Sequence, residues 1–134
     1  MLSKKFPYRD EAISLLKLFA YPEELLRWQS EIWVYARDEL ICSWSDIYFP
    51  AQDPSGYNPG VWERGQREWD ECFREPEIAA MARFNRALSN MPAFLFAGWI
   101  DITDLVAHPE WERLAKAAQD ALLSFGETSE DHPA

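Results

Sequence analysis

The chain has 134 residues and sets 13 Lys and Arg against 23 Asp and Glu, for a formal charge of −10. Hydrophobic residues make up 48% and aromatic residues 15%, with only 5 Gly, which excludes a disordered or glycine-repeat chain and points to one core that needs no disulfide or metal to form. The charge opposes free nucleic acid and anionic membrane as partners and admits a basic protein or a cation.

Asp10 and Glu11 open the first periodic segment, with Ile13, Leu16 and Ala20 on one face and Leu15 and Phe19 beside them. Tyr21 resists the helical region because Pro22 follows it, and Pro22 suits the first position of a new helix. The spacing of Leu25, Trp28, Ile32, Tyr35, Ala36 and Leu40 predicts a second helix over 22–42. From Ser43 to Gly60 the period is lost; Pro50, Pro54, Gly56, Pro59 and Gly60 predict a long loop, a kind of segment that is often functional.

A third helix is predicted over 61–75, with Trp62, Gln66, Trp69 and Phe73 on one face. Its other face carries Glu63 with Arg67 and Asp70 with Arg74, acid first and four apart, the favourable order for a helical pair. Glu77, Ile78, Met81, Phe84, Asn85 and Leu88 describe a fourth helix ending near Asn90. The apolar run 93–102 suits either a buried strand or a buried helix. A single turn is predicted at 103–107. The last helix starts at Pro109 and carries Trp111, Leu114, Ala118, Ala121, Leu122 and Phe125, with a Glu112–Lys116 pair and Gly126 as its stop. The fold class read from this pattern is all-α, a single compact domain of about five helices over 1–126, followed by a polar tail at 127–134. The alternative is α+β, with a small sheet from segments 40–49 and 93–102.

No apolar run is long enough to span a membrane, and the N-terminal segment lacks the apolar stretch of a signal peptide, so a cytoplasmic address is expected. Cys42 and Cys72 have no neighbouring Cys or His at metal-ligand spacing and are read as reduced, buried thiols. The two histidines, His108 and His132, offer no triad: the first stands at a helix entrance, where it caps or packs, and the second lies in the tail. No nucleophile elbow or phosphate-binding glycine motif is present. The acidic pairs Glu23–Glu24 and Glu110–Glu112 fall in first turns, where the helix dipole accounts for them. No catalytic residue, metal or cofactor is expected.

What remains is a small, acidic, aromatic-rich chain without catalytic equipment. In size, acidity and aromatic load it resembles protein inhibitors of the immunity type, which neutralise a basic toxin, often a nuclease, by direct binding. That resemblance implies a basic protein partner, met by long-range attraction and held by aromatic anchors. The expected contact residues are Asp46, Tyr48, Asp53 and Tyr57 in the loop, with Glu68, Glu71 and Glu75 on the adjoining helix face. Trp62 and Trp69 share a stripe with Phe73 and read as core, whereas packing explains Tyr57 least. An adaptor or homodimeric interaction protein is the alternative, and a carboxylate-site enzyme comes third. The sequence does not set the oligomeric state.

Overall fold

A computed structural model describes residues 8–96 and 98–126. It contains seven α-helices: α1 (Tyr8–Ala20), α2 (Pro22–Glu31), α3 (Ala36–Ile47), α4 (Pro59–Asp70), α5 (Glu75–Ser89), α6 (Ile102–Ala107) and α7 (Pro109–Ser124). Single 3-10 turns occur at Phe49–Ala51, Pro54–Gly56 and Ala93–Leu95. The all-α expectation is correct, with seven helices in place of about five. No strand occurs among the described residues, so the small sheet is not formed there. The polar stretch 127–134, His132 included, lies outside the described residues.

α1 lies at the centre, packed against α7, α3 and α2, while α5 and α6 pack on α7. The reason is local: Ala12, Leu16, Phe19 and Ala20 recur at three and four, giving α1 a wholly buried face. Phe19 meets Trp44 of α3, Phe84 of α5 and Trp111 of α7 at ring distances of 6.5, 4.9 and 6.0 Å. From Trp44 the aromatic contacts continue through Tyr48, Trp69 and Phe73 to Phe125. Such edge-to-face and offset pairs add to the stabilisation from burial alone.

The single helix predicted over 22–42 is two helices. Ile32 breaks the first, at φ −120° and ψ 159°. Four consecutive β-branched or aromatic residues, Ile32 to Tyr35, give poor helix propensity. The Gln29 side chain replaces the lost ladder bonds: its amide nitrogen donates to Val34 O (2.9 Å) and its oxygen accepts from Ala36 N (2.7 Å). Conversely, the segment assigned to a loop from Ser43 is helical to Ile47, because Leu40, Trp44 and Tyr48 continue a buried stripe at spacings of four.

α4 starts earlier and stops earlier than predicted. Asn58 caps it, accepting from Gly60 N at 2.9 Å, with Pro59 in its first turn. It ends at Asp70, and Arg74 becomes the residue that starts α5, donating its backbone N–H to the Glu77 carboxylate at 3.0 Å. The Asp70–Arg74 pair therefore has no helix to sit on, and the Arg74 side chain reaches Glu77 Oε2 (2.8 Å) and Ser124 O (3.2 Å). Lys116 likewise pairs forward with Asp120 at 2.6 Å, not with Glu112.

Candidate protein-interaction surfaces

The seven residues expected to contact a partner occupy different surroundings. Asp46, near the C-terminus of α3, is exposed, and its carbonyl accepts from Gln52 Nε2 at 2.7 Å. Asp53 caps the Pro54–Gly56 turn, accepting from Ser55 N at 3.0 Å, and this hydrogen bond holds its carboxyl below the usual range. Tyr57 is exposed and leans on Trp62 (5.3 Å), which packs in turn on Phe49 (4.4 Å). A Cβ at Gly65 would come within 3.1 Å of that Phe49 ring, so a residue without a side chain lets the connection lie close on α4.

Tyr48 is corrected. Only 6% exposed, it stacks on Trp44 at 5.2 Å and meets Trp69 edge-on at 5.8 Å. Burial pushes its hydroxyl pKa up, against a smaller opposite effect of Arg86. It is a core residue because it lies one helical turn beyond Trp44, and its ring has no surface to offer a partner. The acidic helix face is corrected as well. Glu71 sits at the C-terminal cap of α4 and Glu75 opens α5, so they are not neighbours on one helix and do not repel by the i,i+4 rule. Glu68 is half-buried, and its charge is one of those that, after burial and Cys72, raise the pKa of Tyr8 in α1.

One groove gathers acidic and apolar side chains, none of them among the seven expected contact residues. Between α1 and α3, a cavity of about 390 Å³ is lined by Asp10, Glu11, Ser14, Leu15, Ser43 and Ile47. Leu15 and Ile47 provide apolar walls, Asp10 and Glu11 the charge, and Asp46 precedes Ile47. The acids are there because the first turn of α1 favours them. Asp10, Glu11, Asp46, Glu71 and Glu75 have no cation within ion-pair distance among the described residues.

A second surface was not foreseen from the sequence. Trp33 is fully exposed, Trp99 is 79% exposed, and Val34 lies beside Trp33. Their two loops are fastened to each other. Arg37, itself 2% exposed, donates to Leu95 O (3.1 Å) and Gly98 O (3.0 Å) and lays its guanidinium over the Tyr35 ring at 4.5 Å. The Tyr35 hydroxyl donates to Ile100 O, and its ring packs on Trp99 at 4.9 Å. Gly98 takes a φ of +74°, which favours glycine, and turns the chain just before Trp99. Three carbonyls that a strand at 93–102 would have offered a sheet, those of Leu95, Gly98 and Ile100, are thus taken by the Arg37 and Tyr35 side chains. The sequence held one clue, the run Ile-Trp-Val-Tyr, too rich in β-branched and aromatic residues for the helix interior it was placed in.

His108 caps α7, its Nδ1 accepting from Glu110 N at 3.1 Å, with its ring against Phe94. Of the cysteines, Cys72 is buried, its thiol directed to Glu68 O, whereas Cys42 is exposed, not buried as expected; both are free thiols. Among the described residues no group of three His, Cys, Asp or Glu is placed to hold a metal ion, and no helix is long and apolar enough to cross a membrane. No protein-family model, curated protein or solved structure significantly matches the chain.

Proposed function

We propose that this chain is an acidic, non-enzymatic protein-binding domain of the immunity type, which neutralises a basic toxin by covering its cationic surface. One observation supports the reading above all: among the described residues, Asp10, Glu11 and Asp46 by the α1–α3 groove and Glu71 and Glu75 at the α4–α5 turn have no basic side chain within ion-pair distance. Unneutralised charge of one sign stores repulsion, which a cationic partner relieves, and it speeds the encounter with that partner. The toxin fits because a protein acting on a polyanion must present a cationic face.

The test is capture of the partner from the native host with the tagged chain, followed by reconstitution from purified components. A partner with a basic surface is expected, with an affinity that falls steeply as salt is raised. A reconstituted complex whose affinity ignores salt overturns the reading. The adaptor or homodimer alternative draws on the exposed indoles of Trp33 and Trp99; sedimentation of the purified chain as a dimer would favour it.

A further inference from the structure

Exposing two indoles to water is unfavourable, by roughly 25 cal/mol for each Å² of apolar surface. Here the backbone beside each indole is tied by side-chain hydrogen bonds. The Gln29 amide clamps the backbone on either side of Tyr35, and Arg37 binds two carbonyls of the facing segment. Exposed aromatic side chains carried on a hydrogen-bonded backbone suit interface anchors, since less backbone entropy is lost when they are covered.

The charge around them selects the occupant. Glu31, Asp38, Asp101 and Asp104 are exposed on the same two segments. Asp38 and Asp101 lie close enough to Tyr35 for their charges to act on its hydroxyl, after burial and Arg37. Against these four acids stands Arg37, which is buried and paired with Asp38 at 2.8 Å. A second copy of the chain fits poorly. It would bring another charge of −10 to an acidic surface. Trp33, Val34 and Trp99 together also offer roughly 500 Å², short of the ~800 Å² per partner of a standard stable interface. Guanidinium fits both features at once, because it stacks on aromatic faces as well as pairing with carboxylates. Arg37 over Tyr35 already shows this packing inside the cluster.

We infer that Trp33 and Trp99 anchor a docking surface for an arginine-rich segment of the partner protein, whose guanidinium groups stack on the indoles while Glu31, Asp101 and Asp104 meet their charge. The inference rests on the reading of the chain as a binder of a basic protein and adds where that partner seats. The test labels the chain with fluorotryptophan, assigns Trp33 and Trp99 through Trp33→Phe and Trp99→Phe, and titrates with nona-arginine amide followed by fluorine NMR. These two signals are expected to move and saturate, and the other five Trp signals to stay still. The double variant Trp33→Ala/Trp99→Ala keeps its fold by circular dichroism, since neither ring is in the core, and binds at least tenfold more weakly, ~1.4 kcal/mol.

Binding that survives the double variant but is lost in Asp10→Lys/Glu11→Lys places the partner in the α1–α3 groove; the inference then fails while the proposed function stands. A dimer of the wild-type chain that the double variant disperses makes a second copy the occupant and overturns the inference too. No binding of nona-arginine by the wild-type chain, together with a host partner lacking a basic surface, removes both the inference and the reading beneath it.

Discussion

Replacing Glu77 by Gln removes one charge from a buried side chain that accepts several hydrogen bonds and leaves its shape. The carboxylate is fully buried. Its two oxygens accept from Arg9 Nη2 at 2.6 Å, Arg74 N at 3.0 Å, Arg74 Nε at 3.0 Å and Arg74 Nη2 at 2.8 Å, tying the first turn of α1 to the start of α5. Through Arg74 and Ser124 O the same group reaches the end of α7. Breaking a fully buried ion pair costs about 3–5 kcal/mol, because the abandoned charge stays out of water. Here the abandoned charges are better off: the side chains of Arg9 and Arg74 are 25% and 63% exposed and rehydrate. We therefore expect the loss at neutral pH to be nearer 2–3 kcal/mol, roughly one charge-assisted hydrogen bond that water does not replace.

Acid supplies an independent check. Burial alone would raise the Glu77 pKa; the hydrogen bonds and charges of Arg9 and Arg74 outweigh it and hold the pKa below the ordinary 4.5. A carboxylate with a depressed folded-state pKa contributes stability that is present above its unfolded pKa and lost as pH falls through the folded one. Gln has no such dependence. Urea unfolding at several pH values should therefore show the wild type well above Glu77→Gln at pH 7 and the two converging in acid below about pH 4. A gap of the same size at neutral and acid pH, or no gap at all, would refute the assignment of the buried carboxylate as an ionised latch.

Arg37→Ala should destabilise by roughly 2–4 kcal/mol by orphaning the Leu95 and Gly98 carbonyls, and hydrogen exchange should quicken selectively in residues 98–101; equal protection there would mean that Arg37 does not hold the loop. Three tryptophans are fully buried, but only two have a partner for the indole N–H: Trp44 donates to Asn85 Oδ1 at 3.0 Å and Trp69 to Ile47 O at 3.1 Å, while Trp111 Nε1 has no acceptor among the described residues. Trp111→Phe should accordingly cost about 1–2 kcal/mol less than Trp44→Phe in thermal or urea unfolding, and the reverse order would show that the Trp111 N–H is satisfied. Glu71→Lys with Glu75→Lys should leave stability within about 1 kcal/mol, since a cation suits the C-terminal end of α4 and offends the first turn of α5. The same reversal should slow association with a basic partner at low salt, and unchanged kinetics would exclude the α4–α5 turn from the contact.

The sequence by itself determined the class of fold and most of its helices. Buried stripes at Leu16–Phe19–Ala20, Met81–Phe84–Leu88 and Trp111–Leu114–Ala118 are legible because a helix repeats every 3.6 residues and one side must leave water. The prolines at 22 and 109 mark starts for an equally local reason, a fixed φ and a missing donor, and Pro59 does so too although it reads as loop beside Gly60. Only the tertiary structure decided where the α2–α3 helix breaks and what covers Tyr48. Ile32 to Tyr35 match a helical period as well as a loop, and the choice falls to Gln29 and Arg37, whose partners lie up to 61 residues away. Exposure of Trp33 and Trp99 was hidden for the same reason. A residue's period shows which side of an element it occupies, whereas access to water depends on which distant segments fold over that side.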